Sequence, residues 1–306
     1  MNLSLHPRLP GLLALLFVAA ACSTEDGLGD VSADAGEPTH LHERHGALVA
    51  DFTYPRSWDG DGLNVQAQFL DARGVAVESA LQALEVWSPA PGLGLSDCVV
   101  TPLDRQPRAS SEPVSLRLLD VGEIEIDAPE GHLYLAPRRL PDLLSAFYGV
   151  VYGSEWSSPF DGDLLEYYPG STYRFSAPGS SLAGGFDVTL RAPEPMVLLA
   201  ANGEELRGGY LDHDSQQDLE LVWEIDGADD VEIFIDVSPG YGPDQPRLQC
   251  RTPDTGAFTV PASMLSDLRG HPLDLEIRRV RRVTTAVDGL DEAHFFFTTT
   301  DRVELR

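Results

Sequence analysis

The sequence contains no lysine, and only three cysteines and three methionines, among its 306 residues. All 21 basic residues are therefore arginines, and 49 acidic residues outnumber them to give a formal net charge of −28. Such a charge repels nucleic acid and anionic lipid surfaces. DNA binding needs a basic stripe, and the only dense one is Arg278–Arg282. The composition therefore excludes nucleic acid as an expected partner.

Common catalytic signatures are also missing. The chain has no G-x-S-x-G nucleophile elbow, no phosphate-binding loop and no G-x-G-x-x-G dinucleotide motif. It has no C-x-x-C pair and no Cys/His spacing of the structural zinc type. These absences favour a non-catalytic protein without a cofactor.

The longest apolar run lies near the N-terminus, from Gly11 to Ala21, and follows Arg8. It is too short for a permanent membrane-spanning helix. A positive residue, an apolar segment and small residues in that order are typical of a signal peptide that is removed on export. We therefore expect residues 1–21 to be a signal peptide and the mature chain to begin at Cys22.

The sequence Ala19-Ala20-Ala21-Cys22 resembles the lipobox of bacterial lipoproteins, in which a small residue precedes an invariant cysteine. The resemblance implies that Cys22 carries lipid that anchors the chain in a membrane. In that family, Ser23 in place of an aspartate implies sorting to the outer membrane, facing the periplasm or the cell surface. Ala19 stands where the family usually has leucine, and Ala19-x-Ala21 also suits ordinary signal peptidase. The alternative is an exported protein with an unmodified Cys22.

Residues 22–46 have few apolar side chains, which predicts a flexible, lipid-anchored tether. Beyond it, short stretches of alternating apolar and polar residues are separated by Gly, Pro, Asp and Ser clusters, which predicts strands and turns. The proline-rich segment 191–196 interrupts the alternation and marks a domain boundary. The chain is therefore expected to be all-β, with an irregular β-sandwich domain at 47–192 and a second β-sandwich domain at 193–306.

In the first of these domains one stretch, 138–147, is helix-like. The alternation predicts its strands at 48–54, 63–70, 83–87, 98–103, 114–119, 121–127, 131–135, 147–152, 171–176 and 185–191.

The clearest alternation lies in the second domain. The stretch LELVWEIDGADDVEIFIDV (219–237) resembles strands B and C of a fibronectin type III or related immunoglobulin-like domain, with Trp223 in the place of the core tryptophan. The stretch MLSDLRGHPLDLEI (264–277) resembles the loop that enters strand F, with Leu268 inserted into the core. The resemblance implies a seven-strand immunoglobulin-like sandwich.

If Cys22 carries lipid, Cys98 and Cys250 remain as an even pair in an oxidising compartment. A disulfide between them would close a loop of about 150 residues and stabilise the fold by up to about 4–5 kcal/mol in the chain-entropy model. The alternative is two separately buried thiols, one in each predicted domain. Cys250 also begins a C…D-x-G-x-F-x-V-P pattern (250–261) similar to stretches in uncharacterised lipoproteins of GC-rich Gram-negative bacteria, a similarity that implies no activity.

The segment THLHERH (39–45) places His40, His42 and His45 close enough in sequence to chelate a transition metal. Within a tether, however, no second layer of contacts would hold the ligands in place. The sequence therefore favours a solvated polar linker over a metal site.

Three Asp-rich stretches, 57–62, 160–163 and 212–218, place carboxylates two residues apart. Alternate oxygens in a tight loop suit calcium, which makes Asp212 and Asp214 candidate ligands. No stretch completes the EF-hand pattern, and Asp-Gly and Asp-x-Asp are ordinary turn sequences. Turns are therefore the preferred interpretation, and calcium is the alternative.

Two further groups have alternative interpretations. Four arginines are predicted to lie on the two faces of a late strand and to pair with acidic side chains: Arg278, Arg279, Arg281 and Arg282. The alternative is that they form a binding site for an anion. Aromatic residues between 148 and 175 are expected to pack in the core, the alternative being a carbohydrate or protein contact surface.

The expected function is an outer-membrane lipoprotein with a non-catalytic binding, adhesion or structural role, and an envelope protein or glycan as its partner. One alternative is a metal-dependent envelope hydrolase. That activity requires a histidine to converge in one cleft with several of Asp59, Asp61, Asp161, Asp163, Asp212 and Asp214. A second alternative is an accessory subunit of an envelope complex, which would pair through an apolar edge strand.

Overall fold

A computed structural model describes residues 42–54, 63–77, 80–81, 84, 86–101, 115–140, 147–154, 165–206, 209–214, 216–239, 246–268 and 272–306. These residues form an all-β fold, as the sequence predicts. A short helix α1 (Ala262–Leu265) runs into a 3-10 turn (Ser266–Leu268). No helix in this part of the chain is long and apolar enough to cross a membrane.

The strands follow the alternation of apolar and polar residues because successive side chains of a strand point to opposite faces. In chain order they are β1 His42–Thr53, β2 Leu63–Arg73, β3 Asp97–Thr101, β4 Ser115–Leu118, β5 Ile124–Ala128, β6 Gly131–Leu135, β7 Arg138–Leu140, β8 Phe147–Gly153, β9 Thr172–Gly179, β10 Gly184–Arg191, β11 Leu198–Ala201, β12 Glu204–Glu205, β13 Tyr210–Leu211, β14 Leu219–Trp223, β15 Val231–Ser238, β16 Arg247–Pro253, β17 Ala257–Val260, β18 Leu273–Thr285 and β19 Glu292–Leu305.

One sheet joins eleven of these strands in the order β3-β16-β15-β18-β19-β1-β2-β4-β8-β7, with β13 also paired to β19. Its central strands β1 and β19 are the first and last described strands, and they run parallel. Two four-stranded sheets, β10-β9-β5-β6 and β12-β11-β14-β17, complete the fold. The large sheet therefore contains strands from both sides of the boundary predicted at residues 192 and 193.

Both small sheets pack on the same face of β19. Phe295 and Phe297 lie in the first core, beneath β9 and β10, whereas Val303 and Leu305 lie in the second core, with Trp223 of β14. All four β19 residues have odd numbers, so their side chains share one face of the strand. Two sandwich-like layers thus lie side by side along one shared sheet.

A third core covers the opposite face of the large sheet, where Phe234 and Phe296 pack edge-on against Trp87. The predicted strand at 83–87 is wrong for the residues described there, since Leu84, Val86 and Trp87 are not in a strand. The amide of Val86 instead donates to the carbonyl of Leu81, within the same segment. This segment therefore covers the sheet without joining it.

Two other boundaries differ from the sequence predictions. The predicted helix begins at Arg138, but Arg138–Leu140 form β7 and pair antiparallel with β8. Residues 141–146 lie outside the described part of the chain. A partner strand here overrides local helix propensity. Residues 42–46, in the predicted tether, begin β1, because they pair with both β2 and β19.

Candidate functional site

Several predicted site residues lie outside the described part of the chain. They are Cys22, His40, Asp59, Asp61, Asp161 and Asp163.

The parallel strands β1 and β19 bring together His45, Glu292 and His294. In their register His45 is opposite Glu292, and Ala47 is opposite His294. Partners in a parallel pair, and residues two apart along one strand, point to the same face. The three side chains therefore share one face, and one potential ligand atom from each lies within 4.8 Å of the others. The two imidazole ring centroids are 4.9 Å apart.

Two hydrogen bonds between Arg44 and Asp291 hold the two strands in this register. The amide of Arg44 donates to Asp291 Oδ2 at 2.7 Å, and the amide of Asp291 donates to the carbonyl of Arg44 at 2.7 Å. This reciprocal pair fixes the start of β19 against β1, one residue before Glu292. Gly46 allows close packing behind the cluster, because a Cβ there would lie 2.8 Å from Phe69 Cδ1.

Polar contacts at both nitrogens fix the orientation of the His294 imidazole. Its Nδ1 lies 2.8 Å from Thr284 Oγ1 on β18, and its Nε2 lies 3.1 Å from Glu292 Oε2. The ring also lies beside Phe296, with centroids 5.8 Å apart. His294 is half-buried, whereas Glu292 is exposed, so the cluster sits at the margin of the third core with access to solvent.

His45 has a different environment. Its pKa is lowered from 6.5 to about 4, chiefly by burial and then by the neighbouring His294, while the charges of Glu292 and Asp291 oppose the shift. At neutral pH the ring is therefore uncharged and keeps a free nitrogen lone pair. Among the described residues, its imidazole has no hydrogen-bond partner. The sequence signalled this residue within THLHERH, but gave no sign of its partners on β19.

His42 does not join His45. The two residues are three apart on a regular strand, so their side chains point to opposite faces. Nε2 of His42 instead lies 3.0 Å from Asp71 Oδ1. The structure therefore does not bring the described histidines of the THLHERH stretch into one group.

Asp212 and Asp214 lie in the connection between β13 and β14. The Asp214 carboxylate accepts a hydrogen bond from the Gln216 amide at 2.9 Å, and the Asp214 carbonyl accepts one from the Gln217 amide. These bonds are those of a turn, the structure that the sequence favours at this stretch.

These aspartates are remote from His45. Leu211, the residue before Asp212, pairs with Leu305 at the end of β19, whereas His45 pairs with Glu292 at its start. Thirteen residues of strand at about 3.3 Å each separate the two ends by about 40 Å.

A second group of potential ligands, Glu125, Asp127 and His132, lies on the β5–β6 hairpin. His132 Nδ1 is 2.5 Å from Asp127 Oδ1, and Arg174 Nη1 is 3.4 Å from Asp127 Oδ2. Arg174, which also binds Asp187 at 2.7 Å, compensates part of the negative charge that would attract a cation.

The arginines of β18 pair with acids on the two faces of the strand, as predicted. The ion pairs are Arg278 with Asp51, Asp236 and Glu276, Arg279 with Asp254, Arg281 with Asp230, and Arg282 with Glu232. Their charge is therefore compensated within the fold.

The segment 191–196, predicted as a boundary, is hydrogen-bonded to the shared sheet. Arg279 Nη1 donates to the carbonyls of Glu194 and Pro195 at 3.1 and 2.8 Å, and Thr299 Oγ1 donates to the carbonyl of Glu194 at 3.0 Å. Arg281 Nη1 donates to the carbonyl of Arg191 at 2.8 Å. A polar row on β18 and β19 therefore separates the first core from the second.

The aromatic residues between 148 and 175 include two fully buried tyrosines in the first core, Tyr152 and Tyr173. Core packing, the preferred interpretation, is confirmed for these two residues.

Cys98 and Cys250 are directly opposite each other in the pair β3–β16, and their sulfur atoms are bonded at 2.02 Å. The disulfide joins a strand of the predicted first domain to a strand of the predicted second domain.

Comparison of the chain with protein-family models and with curated proteins gave no match. The candidate site therefore rests on its own residues: a half-buried pair of imidazoles and one carboxylate, which the first and last described strands hold on one face of the shared sheet.

Proposed function

We propose that the protein is an exported, lipid-anchored protein of the outer membrane whose all-β body is a non-catalytic binding or structural module. The lipobox-like sequence that ends at Cys22 supports the anchor, and Ser23 supports outer-membrane sorting. The expected partner is a protein or glycan of the cell envelope.

One observation carries the non-catalytic part of the proposal. The described carboxylates of the hydrolase alternative, Asp212 and Asp214, lie at the opposite end of β19 from His45, about 40 Å along the strand at 3.3 Å per residue. A hydrolytic centre needs its acid, base and electrophile groups within a few ångströms of one substrate. Their separation favours a module that binds through its surface.

The second sandwich-like layer supports the resemblance to fibronectin type III domains. Strands β11, β14 and β17 form one side, and β16, β15, β18 and β19 form the other. Trp223 is buried in the second core, and so is Leu268 of the segment before β18. Sandwiches of this architecture recur in cell-surface proteins, and this fold-level analogy agrees with a binding role.

Expression of the full chain in a Gram-negative host tests the anchor. The intact mass of the mature protein is expected to equal that of the chain from Cys22 plus a diacylglyceryl group on the sulfur and one acyl group on the amino nitrogen, and membrane fractionation is expected to place it in the outer membrane. Cys22→Ala should remove both properties. Ser23→Asp should keep the acyl mass and move the protein to the inner membrane. An unacylated chain that begins at Cys22 would contradict the proposal.

The binding role is tested separately, with the soluble Cys22→Ala chain. We expect it to co-sediment saturably with purified peptidoglycan sacculi or with outer-membrane vesicles that carry the envelope proteins. Saturable binding to either preparation supports the module and identifies the partner as glycan or protein. Absence of binding to both, or turnover of the sacculi, would contradict it.

A further inference from the structure

We propose that His45, Glu292 and His294 form a binding site for a divalent transition-metal ion of the zinc class. The site joins the first described strand to the last and is independent of the proposed envelope role. It differs from the Asp-rich loops, which suit calcium, and shares only His45 with the THLHERH segment.

The donor set selects the class of ion. Two imidazole nitrogens and one carboxylate oxygen are ligands that zinc, copper and nickel accept. Calcium instead takes six to eight oxygen ligands, and this cluster supplies oxygen only through Glu292. The chemistry therefore favours a transition metal.

The spacing of the ligand atoms also suits a single ion. The three atoms lie within 4.8 Å of one another. An ion at the centre of such a triangle would lie at most about 2.8 Å from each atom, so side-chain movements of less than about 1 Å bring it to Zn–N distances of about 2.0–2.1 Å. The strand backbones need not move, because all three residues already share one face of β1 and β19.

His294 and Glu292 already hold the geometry that an ion would use. Nε2 of His294 faces Glu292 Oε2 at 3.1 Å, so the metal would replace the proton between the two atoms. The imidazole proton would then reside on Nδ1, where Thr284 Oγ1 lies 2.8 Å away and can accept it in a hydrogen bond. A ligating histidine whose second nitrogen is held in this way is the usual arrangement in protein metal sites.

His45 supplies the third ligand from the other strand. Its ring centroid lies 4.9 Å from that of His294, and the described residues offer its nitrogens no hydrogen bond. Coordination would give this half-buried imidazole a partner. A tetrahedral ion takes four ligands, and the three side chains leave at least one position for water.

Zinc titration by calorimetry tests the site, with the metal alone as the probe. The protein is the full chain carrying Cys22→Ala, without a histidine tag and treated with chelator. We expect one equivalent of Zn²⁺ to bind and calcium to leave the signal unchanged. His45→Ala and His294→Ala should each weaken zinc binding by about 100-fold or more, since even second-shell partners are worth 10–100-fold.

Two matched histidine variants act as controls. His42→Ala removes a histidine from the same strand but the opposite face, and His132→Ala removes the histidine of the β5–β6 hairpin group. Both should bind zinc as the parent does. The proposal would be overturned if His132→Ala lost zinc binding while His45→Ala and His294→Ala retained it.

A measurement on the unsubstituted cluster covers the case in which a variant fails to fold. In ¹⁵N-labelled protein, stoichiometric Zn²⁺ should shift the imidazole nitrogens of His45 and His294 and leave those of His42 and His132 in place. Absence of zinc binding, or shifts confined to His42 and His132, would overturn the assignment.

Discussion

Arg279 and Asp254 form a buried ion pair, in which Arg279 Nε donates to Asp254 Oδ2 at 2.9 Å and the two side chains are 1% and 3% exposed. The same carboxylate accepts hydrogen bonds from Trp223 Nε1 at 2.8 Å and from the amide of Asp226 at 2.9 Å. The Arg279 guanidinium also donates to the carbonyl of Glu194. This pair therefore ties the core tryptophan to the segment between the two sandwich-like layers.

We expect Asp254→Asn to destabilise the protein strongly. The substitution leaves the buried Arg279 guanidinium without its counter-charge, and removal of one partner of a buried pair costs about 3–5 kcal/mol. Urea unfolding, followed by tryptophan fluorescence, measures the change. Asp187→Asn is the matched control, because Asp187 pairs with Arg174 and the two side chains are 58% and 49% exposed, and exposed pairs contribute little to stability. Equal effects of the two variants would contradict this account.

A second buried acid gives a pH-dependent prediction. Burial alone would raise the pKa of Asp236, but the charges of Arg247 and Arg278, with hydrogen bonds from Gln249 and Trp87, lower it below its ordinary value. A carboxyl whose pKa is lowered on folding contributes stability above its unfolded pKa of about 3.9, and this contribution is lost as the pH falls through the folded pKa.

Asp236→Asn should therefore lose several kcal/mol of unfolding free energy at neutral pH, as for other buried pairs that lose one partner. The difference from the parent protein should stay constant between pH 7 and 5 and become smaller below about pH 4. Chemical unfolding of both proteins across this range measures the difference. If the difference in unfolding free energy between the two proteins increased in acid, the Asp236 carboxylate would not be the source of the stabilisation.

Replacement of both bridged cysteines, Cys98→Ser with Cys250→Ser, should destabilise the folded state. The disulfide closes a loop of sequence separation 152, and removal of a native disulfide typically costs about 2–5 kcal/mol. Thermal unfolding of this variant should begin at the same temperature with and without reductant. The parent protein should unfold at a lower temperature when it is reduced. Insensitivity of the parent to reductant would contradict a structural role for the bridge.

The strand pattern was largely predictable, because each strand carries its own alternation. Leu219 to Trp223 and Val231 to Val237 are apolar at every second position, and both stretches are strands with that face buried. Leu84, Val86 and Trp87, the described residues of 83–87, are not in a strand although they are apolar enough. The amides of Leu84 and Val86 bond within their own segment, and the three side chains pack in the third core. A buried segment outside a sheet and a strand within one can therefore have similar patterns of apolar residues in the sequence.

The candidate metal site was not predictable, because it depends on pairing between strands. His45 stood in a segment that reads as a tether, and nothing in THLHERH specifies β19 as its partner. Glu292 and His294 are 247 or more positions away, and only the parallel register of β1 and β19 places them beside His45. Similarly, a proline-rich boundary at 191–196 gave no sign that buried arginines of β18 would hold it on the sheet.

Gly46 tests whether close packing behind the histidine cluster sets the position of β1. Its partner in the β1–β2 register is Phe69, and a Cβ at position 46 would lie 2.8 Å from Phe69 Cδ1 and 3.1 Å from Leu290 Cδ1. We expect Gly46→Ala to destabilise the protein by about 1–3 kcal/mol through overpacking. Gly131→Ala, where a Cβ would meet no atom within 4 Å, is the matched control and should have a small effect.

A double-mutant cycle identifies the cause of the Gly46→Ala effect. Phe69 is fully buried, so Phe69→Leu destabilises the protein by itself, but it also removes the ring atoms nearest to the new methyl group. Gly46→Ala should therefore cost less in the Phe69→Leu background than in the parent, with a coupling of about 0.5–3 kcal/mol. Additive effects would show that the cost arises from the backbone of β1 rather than from contact with the ring.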